Sequence, residues 1–247
     1  MNAIRLLNQL KEYPVFGAEE VAEIMDCDKR YANLVLTRLY HKKAIKKAES
    51  GKYTLCNLAQ TIATHLVKPS YITGWYALKI YDLTEQLPQQ IDVLTSRSRN
   101  REIIIFGQEK IRYLTVNKKY LFEFFSEVSE QYTMNLASIE KTLIDCLYFD
   151  LAPLSVVIQA IKTKKEKISV DKIKKICLKL KNRHFLKKVG IVFDSADYDL
   201  HKKFKKHLDY NPLIIDKKLS GLLDQSKFKK WRIKPSENFL FSGVLKT

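Results

Sequence analysis

A short segment near the N-terminus carries side chains of the types that contact nucleic acids. Arginine, lysine, asparagine and threonine hydrogen-bond to base edges in the major groove and to backbone phosphates. In this segment they recur on one side of a helix predicted over 29–42, opposite an apolar stripe. The polar side consists of Lys29, Arg30, Asn33, Thr37, Arg38 and Lys42, and the stripe of Ala32, Val35, Leu36 and Leu39. The pattern predicts a helix that binds DNA through its exposed face.

The neighbouring elements predict how this helix is held. A first helix is predicted to begin after Asn2, which can cap it, with Ile4, Leu7 and Leu10 at helical spacing, and to stop before Pro14. A second helix, predicted over 17–25, has an acidic first turn, and Asp28 can cap the third helix.

Two short strands, 44–48 and 52–55, are predicted to follow and to form a hairpin around Gly51. The order helix, helix-turn-helix, hairpin is that of a winged helix-turn-helix, which we predict over 1–57. Lys46, Lys47 and Lys52 of the hairpin are candidate phosphate contacts. The same fold can also be used for protein contacts, which is the alternative interpretation.

Positive charge is concentrated at the other end of the chain. The formal net charge is +17, and residues 153–247 hold 24 Lys and Arg against 9 Asp and Glu. Such a surface attracts phosphate backbones and acidic partners alike. Most of these cations are lysines, which are point charges with little base-reading geometry. If this part touches DNA, we expect it to hold phosphates without reading sequence.

Composition argues against several classes of protein. Apolar residues make up 46% of the chain, enough for a core, and no stretch approaches the roughly 18 apolar residues of a membrane span. The start of the sequence lacks the apolar core of a signal peptide. The cysteines Cys27, Cys56, Cys146 and Cys177 form no C-x-x-C pair and have no histidine at zinc spacing. We therefore expect a cytoplasmic protein with no membrane partner, metal, cofactor or catalytic centre.

The central segment alternates between helical and extended patterns. Helices are predicted over 58–66, after Ser70 with Tyr71, Trp75 and Leu78 on one face, and over 136–149. Strands are predicted over 91–95, 102–106 and 111–116. The predicted fold class is therefore α+β: the winged helix-turn-helix of 1–57, then a larger mixed α/β domain over 58–247. The C-terminal part of that domain is helical and rich in lysine, with a possible sub-boundary near 152. Its helices include one predicted over 169–181, which Ser169 can cap, and one predicted over 200–208.

Two polar groups in this segment invite a functional interpretation. Arg97, Arg99 and Arg101 alternate, so on an extended strand they would share one face and could hold a DNA phosphate. A solvated edge is an equal alternative. Glu140, Lys141 and Asp145 resemble a catalytic cluster, but the first two point about 100° apart on a helix. We expect a structural role for them, or an ion pair with the arginines.

Several motifs occur in an order that is typical of a known family. The segments GKYTL, IATHLVKPSYITGWYAL, DLTEQLP, IDVLT with its following arginines, and SIEKTLIDCLY succeed one another within residues 1–150. LKKVGIVFDSA and KKWRI follow more weakly. In these features the chain resembles the AbiEi family, the antitoxin-regulators of abortive-infection toxin–antitoxin pairs. Tyr81-Asp82 departs from the pattern, where a small residue or glycine is expected.

The resemblance implies a two-part protein. Its winged helix would repress the operon that encodes antitoxin and toxin, binding operator DNA with inverted repeats as a monomer or a dimer. The following domain would take part in antitoxic activity, and the partner toxin would be a nucleotidyltransferase.

Two other functions stay open on the sequence. One is a winged-helix transcription factor whose larger domain senses a small ligand, although no glycine-rich phosphate loop is present. The other is a nuclease, for which Asp216-Lys217-Lys218 supplies a D-x-K tripeptide after an apolar run. A nuclease core also needs an upstream acidic residue on a neighbouring strand, and the sequence does not place one.

Overall fold

The structure, a computed structural model, describes residues 2–236 except for the side chains of Lys217 and Lys218. It is mixed α/β, with helices, a six-stranded mixed sheet and two two-stranded sheets within that range. The helices are α1 (Ala3–Leu10), α2 (Ala18–Met25), α3 (Lys29–His41), α4 (Ala59–His65), α5 (Gly74–Ile80), α6 (Ile139–Tyr148), α7 (Leu154–Thr163), α8 (Val170–Lys179), α9 (Arg183–Ser195), α10 (His201–Phe204), α11 (Lys217–Gly221) and α12 (Phe228–Trp231). The strands are β1 (Lys46–Glu49), β2 (Lys52–Thr54), β3 (Ser70–Thr73), β4 (Ile91–Thr95), β5 (Ile103–Phe106), β6 (Glu109–Thr115), β7 (Phe124–Ser129), β8 (Tyr132–Ala137), β9 (Leu213–Asp216) and β10 (Ile233–Ser236). The prediction of helices combined with strands is confirmed at this coarse level.

The chain divides into two compact units. The first unit comprises Met1–Ile72 and Gln89–Leu136, and the second comprises Thr73–Pro88 and Ala137–Thr247. Residues 1–57 therefore share a unit with the six-stranded sheet, and the Tyr132 hydroxyl of β8 donates to the Lys11 carbonyl at 2.8 Å. The predicted boundaries at 57 and near 152 do not coincide with the limits of these two compact units. As boundaries between functional regions they stay predictions.

The first unit begins with three helices and a hairpin. The Asn2 and Asp28 side chains accept hydrogen bonds from the Ile4 and Tyr31 amides, so both predicted caps are confirmed. Ile4 of α1 is exposed, whereas Leu6 and Leu10 are buried. The buried cluster of this region consists of Leu6, Leu10, Phe16, Val21, Ala32, Leu36, Leu39 and Ile45.

The sheet of the first unit has the strand order β5-β6-β4-β3-β8-β7. Strands β4 and β6 are parallel, β3 and β8 are parallel, and β5 and β6 are antiparallel. The strands predicted over 91–95, 102–106 and 111–116 correspond to β4, β5 and β6, whereas β7 and β8 had no sequence prediction. The helix predicted from Ser70 is wrong at its start, because Ser70–Thr73 is a buried strand and α5 begins only at Gly74.

The second unit is mainly helical. Helix α6 is buried along most of its length and has α5, α7, α8 and α9 as neighbours. The predicted cap of α8 is confirmed, as the Ser169 hydroxyl oxygen accepts from the Lys172 amide at 3.4 Å. The helix predicted over 200–208 is shorter, with α10 followed by a 3-10 turn at Lys205–His207. At the unusual Tyr81-Asp82 step, Asp82 adopts φ +54°, the left-handed conformation that glycine favours.

Two motifs distant in the sequence meet in this unit. A Cβ atom added to Gly190 of α9 would lie 2.2 Å from the ring of Trp231, which is fully buried. The Trp231 indole N–H donates to the buried Asp194 carboxylate at 2.8 Å, and Lys230 Nζ reaches the same oxygen at 3.0 Å. The weakly matching segments LKKVGIVFDSA and KKWRI thus form one packed contact.

We expect Gly190→Ala to lower the free energy of unfolding by about 1–3 kcal/mol or more, because the added methyl must displace the indole ring. The measurement is urea unfolding followed by circular dichroism. Gly221→Ala is the matched control, since a Cβ atom there meets nothing within 4 Å. Equal midpoints for the two variants would contradict the close approach of α9 and Trp231.

Candidate nucleic-acid interface

Helix α3 is held by contacts that its own sequence specifies only in part. Its buried side, Ala32, Leu36 and Leu39, packs into the core of the three helices and the hairpin. The hairpin is fixed by a pair of backbone hydrogen bonds between Phe16 and Tyr53, at 2.9 and 2.8 Å. These contacts leave the opposite side of α3 exposed.

The turn of the hairpin lies close to the start of α2. The Gly51 carbonyl oxygen would be only 2.9 Å from a Cβ atom at Gly17, so this approach requires glycine. Gly51 itself adopts φ +73°, as the hairpin prediction required. The Gly17 amide donates to the Glu20 carboxylate at 2.7 Å, which caps α2.

The centre of the exposed side of α3 differs slightly from the predicted set. At 100° per residue, Arg30, Leu34, Thr37 and His41 fall within about 60° of one another, with Arg38 beside them. All five are exposed, and the sequence interpretation omitted Leu34 and His41. Their positions opposite Ala32, Leu36 and Leu39 were the available signal. An exposed leucine suits contact with a thymine methyl group, and arginine suits guanine.

Lys29 and Asn33 lie toward the edge of this surface. Lys29 Nζ is 2.7 Å from Glu19 Oε1 of α2, and that hydrogen bond lowers the pKa of the Glu19 carboxyl below its ordinary value. The Asn33 side chain is exposed, while its backbone carbonyl accepts from the Thr37 hydroxyl at 2.8 Å. Both predicted residues remain accessible to a bound phosphate.

The cations after α3 are distributed along its end and the hairpin. Lys42 caps the C-terminus of α3 and is exposed, as are Lys46 and Lys47 of β1. Lys46 Nζ donates to Asn57 Oδ1 at 2.7 Å, and Lys52 is half-buried. Since β1 and β2 pair as predicted, the two exposed lysines of β1 belong to one short hairpin.

The three alternating arginines do not share the face of a strand. Residues 96–102 form a loop between β4 and β5, so the extended strand on which these arginines would share one face is not formed. Arg97 and Arg101 are exposed, and for them a phosphate contact stays a prediction.

Arg99 is engaged within the first unit. Its guanidinium forms an ion pair with Glu49 and lies 4.2 Å from the centre of the Tyr113 ring. Burial raises the pKa of the Tyr113 hydroxyl, which donates to the Ala63 carbonyl at 2.8 Å. Arg99 therefore ties the hairpin to the sheet.

The cluster that resembled a catalytic site is buried inside the second unit. Lys141 and Asp145 are 0% and 1% exposed in their side chains and form an ion pair one turn apart. Asp145 also accepts from the Thr73 hydroxyl at 3.0 Å, and Glu140 accepts from the Ser169 amide at 2.9 Å. These contacts give the cluster a structural role.

Two further expectations concern aromatic and acidic side chains. Tyr71 lies on β3 and is fully buried, stacked on Phe124 at 4.8 Å, so it does not share a helix face with Trp75 and Leu78. Asp216 accepts from the Leu219 amide at 2.6 Å and caps α11. The Lys218 side chain of the D-x-K tripeptide lies outside the described residues.

Within residues 2–236, no cluster of histidine, cysteine and acidic side chains has the arrangement of a metal site. In the same range, no helix combines the length and apolar character needed to cross a membrane.

Neither a protein-family model nor a curated protein matches this sequence. The fold is similar to the crystal structure of the RV2827C protein from Mycobacterium tuberculosis, with a TM-score of 0.60. The alignment covers 94% of this chain and 90% of that chain at 10% sequence identity. At this identity the similarity shows a shared fold and nothing about function.

Proposed function

We propose that residues 1–57 form a winged helix-turn-helix and that the protein is a DNA-binding transcriptional repressor. The order α1, α2, α3, β1, β2 supports this, as does the two-residue turn between α2 and the Asp28 cap of α3. In this arrangement α3 enters the major groove and the hairpin contacts the neighbouring backbone.

The observation that carries the proposal is the exposed side of α3. It presents Arg30 and Arg38, which suit guanine, around Leu34, and Thr37 adds a hydroxyl group. The buried side of the same helix is fully used in the core, so this exposed surface is not needed for folding. Asn33 and Lys29 at its edge, and Lys42, Lys46 and Lys47 beyond it, are suited to phosphates.

The resemblance to the AbiEi family extends the proposal to a biological setting. The DNA would be the operator of an operon that encodes this chain and a nucleotidyltransferase toxin, and this chain would be the antitoxin. The test is repression of a reporter gene by the full chain, together with rescue of cell growth when the neighbouring toxin gene is expressed. Repression without rescue would leave a repressor that is not an antitoxin.

Direct binding is tested by a salt titration on the DNA that precedes the gene. We expect Lys46→Ala combined with Lys47→Ala to weaken binding to all DNA sequences alike. The slope of log K against log salt is negative, and its magnitude should decrease by about 0.9 for each phosphate that the variant no longer neutralises, because fewer counterions are released on binding.

The matched control removes the same charge from Lys118 and Lys119, two exposed lysines in a 3-10 turn after β6. This control should leave the slope closer to that of the unaltered protein. An equal fall for both pairs would mean that overall charge, and not the hairpin, determines binding. No binding by the unaltered chain would reject the proposed function.

A further inference from the structure

A cleft in the second unit is lined by several positively charged side chains. It has a volume of about 390 Å³, within the range of small-molecule sites in proteins. Its cationic lining is formed by Lys181, Arg183 and Lys206, with the imidazole of His207 beside them. No carboxylate belongs to the lining found in the described part of the chain.

The cations of this cleft are not neutralised by the fold. Elsewhere in the second unit the lysines have acidic partners, such as Lys203 with Asp171 and Lys188 with Asp150. Within residues 2–236, the side chains of Lys181, Lys206 and His207 form no such pair. All three are exposed at the cleft.

The acidic residue that follows the cleft residues 206–208 in the sequence is bound by another lysine. Asp209 follows the cleft residue Leu208, and its carboxylate is bound by the buried ammonium of Lys187. The hydrogen bond from Lys187 lowers the pKa of the Asp209 carboxyl. The positive charge of Arg183 also lowers this pKa, without a hydrogen bond between the two residues. The described residues show no hydrogen bond or ion pair from the Arg183 side chain, so its donors are available to a ligand.

The rest of the cleft fixes the chemical class of the ligand. Helix α9 begins at this cleft and α8 ends there, so their dipoles oppose each other and the attraction of an anion comes from the side-chain cations. Leu178, Leu186 and Leu208 add a small apolar wall to a lining that is otherwise polar. This lining suits a ligand that is strongly anionic at one end and carries a smaller apolar or aromatic part.

We propose that this cleft binds a small phosphomonoester, of the size of a nucleoside monophosphate. The phosphate, with a charge between about −1.5 and −2 at neutral pH, would lie among Lys181, Arg183 and Lys206. The organic part would lie against the leucines. The phosphate backbone of DNA is a weaker match, because a continuous strand requires an extended groove in place of a compact cavity.

The backbone of Lys181 makes a sharp test possible. This residue has φ +52°, in the left-handed region that glycine adopts without strain at a helix C-terminus. Lys181→Gly should therefore leave the protein at least as stable as before while it removes a cation from the cleft. A loss of binding in this variant cannot be assigned to unfolding.

The experiment is isothermal titration of the full chain with adenosine 5′-monophosphate, with adenosine and with inorganic phosphate. We expect the monophosphate to bind most tightly and adenosine not to bind. Lys181→Gly and Lys206→Gln should each weaken monophosphate binding about tenfold, since each removes one charged partner of the phosphate. Lys175→Gln, an exposed lysine on α8 outside the cleft lining, is the matched control and should leave the affinity unchanged.

Three results would overturn the proposal. One is equal affinity of the unaltered chain, Lys181→Gly and Lys206→Gln for the monophosphate. Another is a loss of equal size in Lys175→Gln, which would indicate attraction by overall charge. The third is inorganic phosphate binding as tightly as the monophosphate, which would leave the apolar wall without a role. Binding in the cleft is independent of DNA binding by α3, so either proposal can fail alone.

Discussion

The double variant Arg30→Ala/Arg38→Ala is expected to lose its preference for operator DNA over scrambled DNA. Both arginines are exposed on the outer side of α3, where the proposed function places base contacts. Each bidentate contact to guanine contributes about 1–3 kcal/mol of discrimination, so removing both should cost about 2–6 kcal/mol of specific binding. Binding to scrambled DNA should fall much less, by the share of the two removed charges. Competition gel shifts with both DNAs at constant salt measure the ratio.

The control for this experiment is Arg5→Ala on α1, which removes an exposed arginine from a different helix. It should keep the operator preference. If the double variant discriminates as well as the unaltered chain, then α3 does not read the sequence and docks elsewhere. If Arg5→Ala loses the preference as well, charge alone explains the effect.

A second large effect is expected from the ion pair inside α6. Lys141→Ala should lower the free energy of unfolding by about 3–5 kcal/mol, because it leaves the Asp145 carboxylate buried without its cation. Chemical denaturation measured by circular dichroism reports this loss.

The informative comparison is Lys141→Met combined with Asp145→Leu. Replacing both partners with apolar side chains removes the uncompensated charge, so the double variant should be more stable than Lys141→Ala. The Thr73 hydroxyl, which donates to Asp145 at 3.0 Å, would lose its partner, so full recovery is not expected. A double variant less stable than Lys141→Ala would contradict this prediction. It would show that the other contacts of the Asp145 carboxylate stabilise the fold more than its unpaired charge destabilises it.

Local features such as helix caps and the hairpin turn could be predicted from the amino-acid sequence alone. Asn2, Asp28 and Ser169 were identified as helix caps, and each accepts a hydrogen bond from the first turn of its helix. Such caps act within three residues, so their signal is contained in the sequence nearby. The same holds for Gly51, whose positive φ is set by the hairpin turn itself. The exposed side of α3 followed from helical periodicity, although its centre at Leu34 was missed.

Features that join distant segments could be found only from the folded chain. Ser70–Thr73 is a strand because it pairs with β8, more than sixty residues later, which a helix-like local pattern could not reveal. Arg99 was considered as part of a shared arginine face. In the fold its guanidinium pairs with Glu49 and lies over the Tyr113 ring, and both partners are distant in the sequence.

The charged cleft depends in the same way on residues near 181 and near 206 that lie far apart in the sequence. Many lysines in this region form ion pairs with acidic side chains in the fold. The composition of the chain does not reveal which lysines stay without such a pair. The physical reason is that pairing and burial are set by the distances between segments, which only the packed chain fixes.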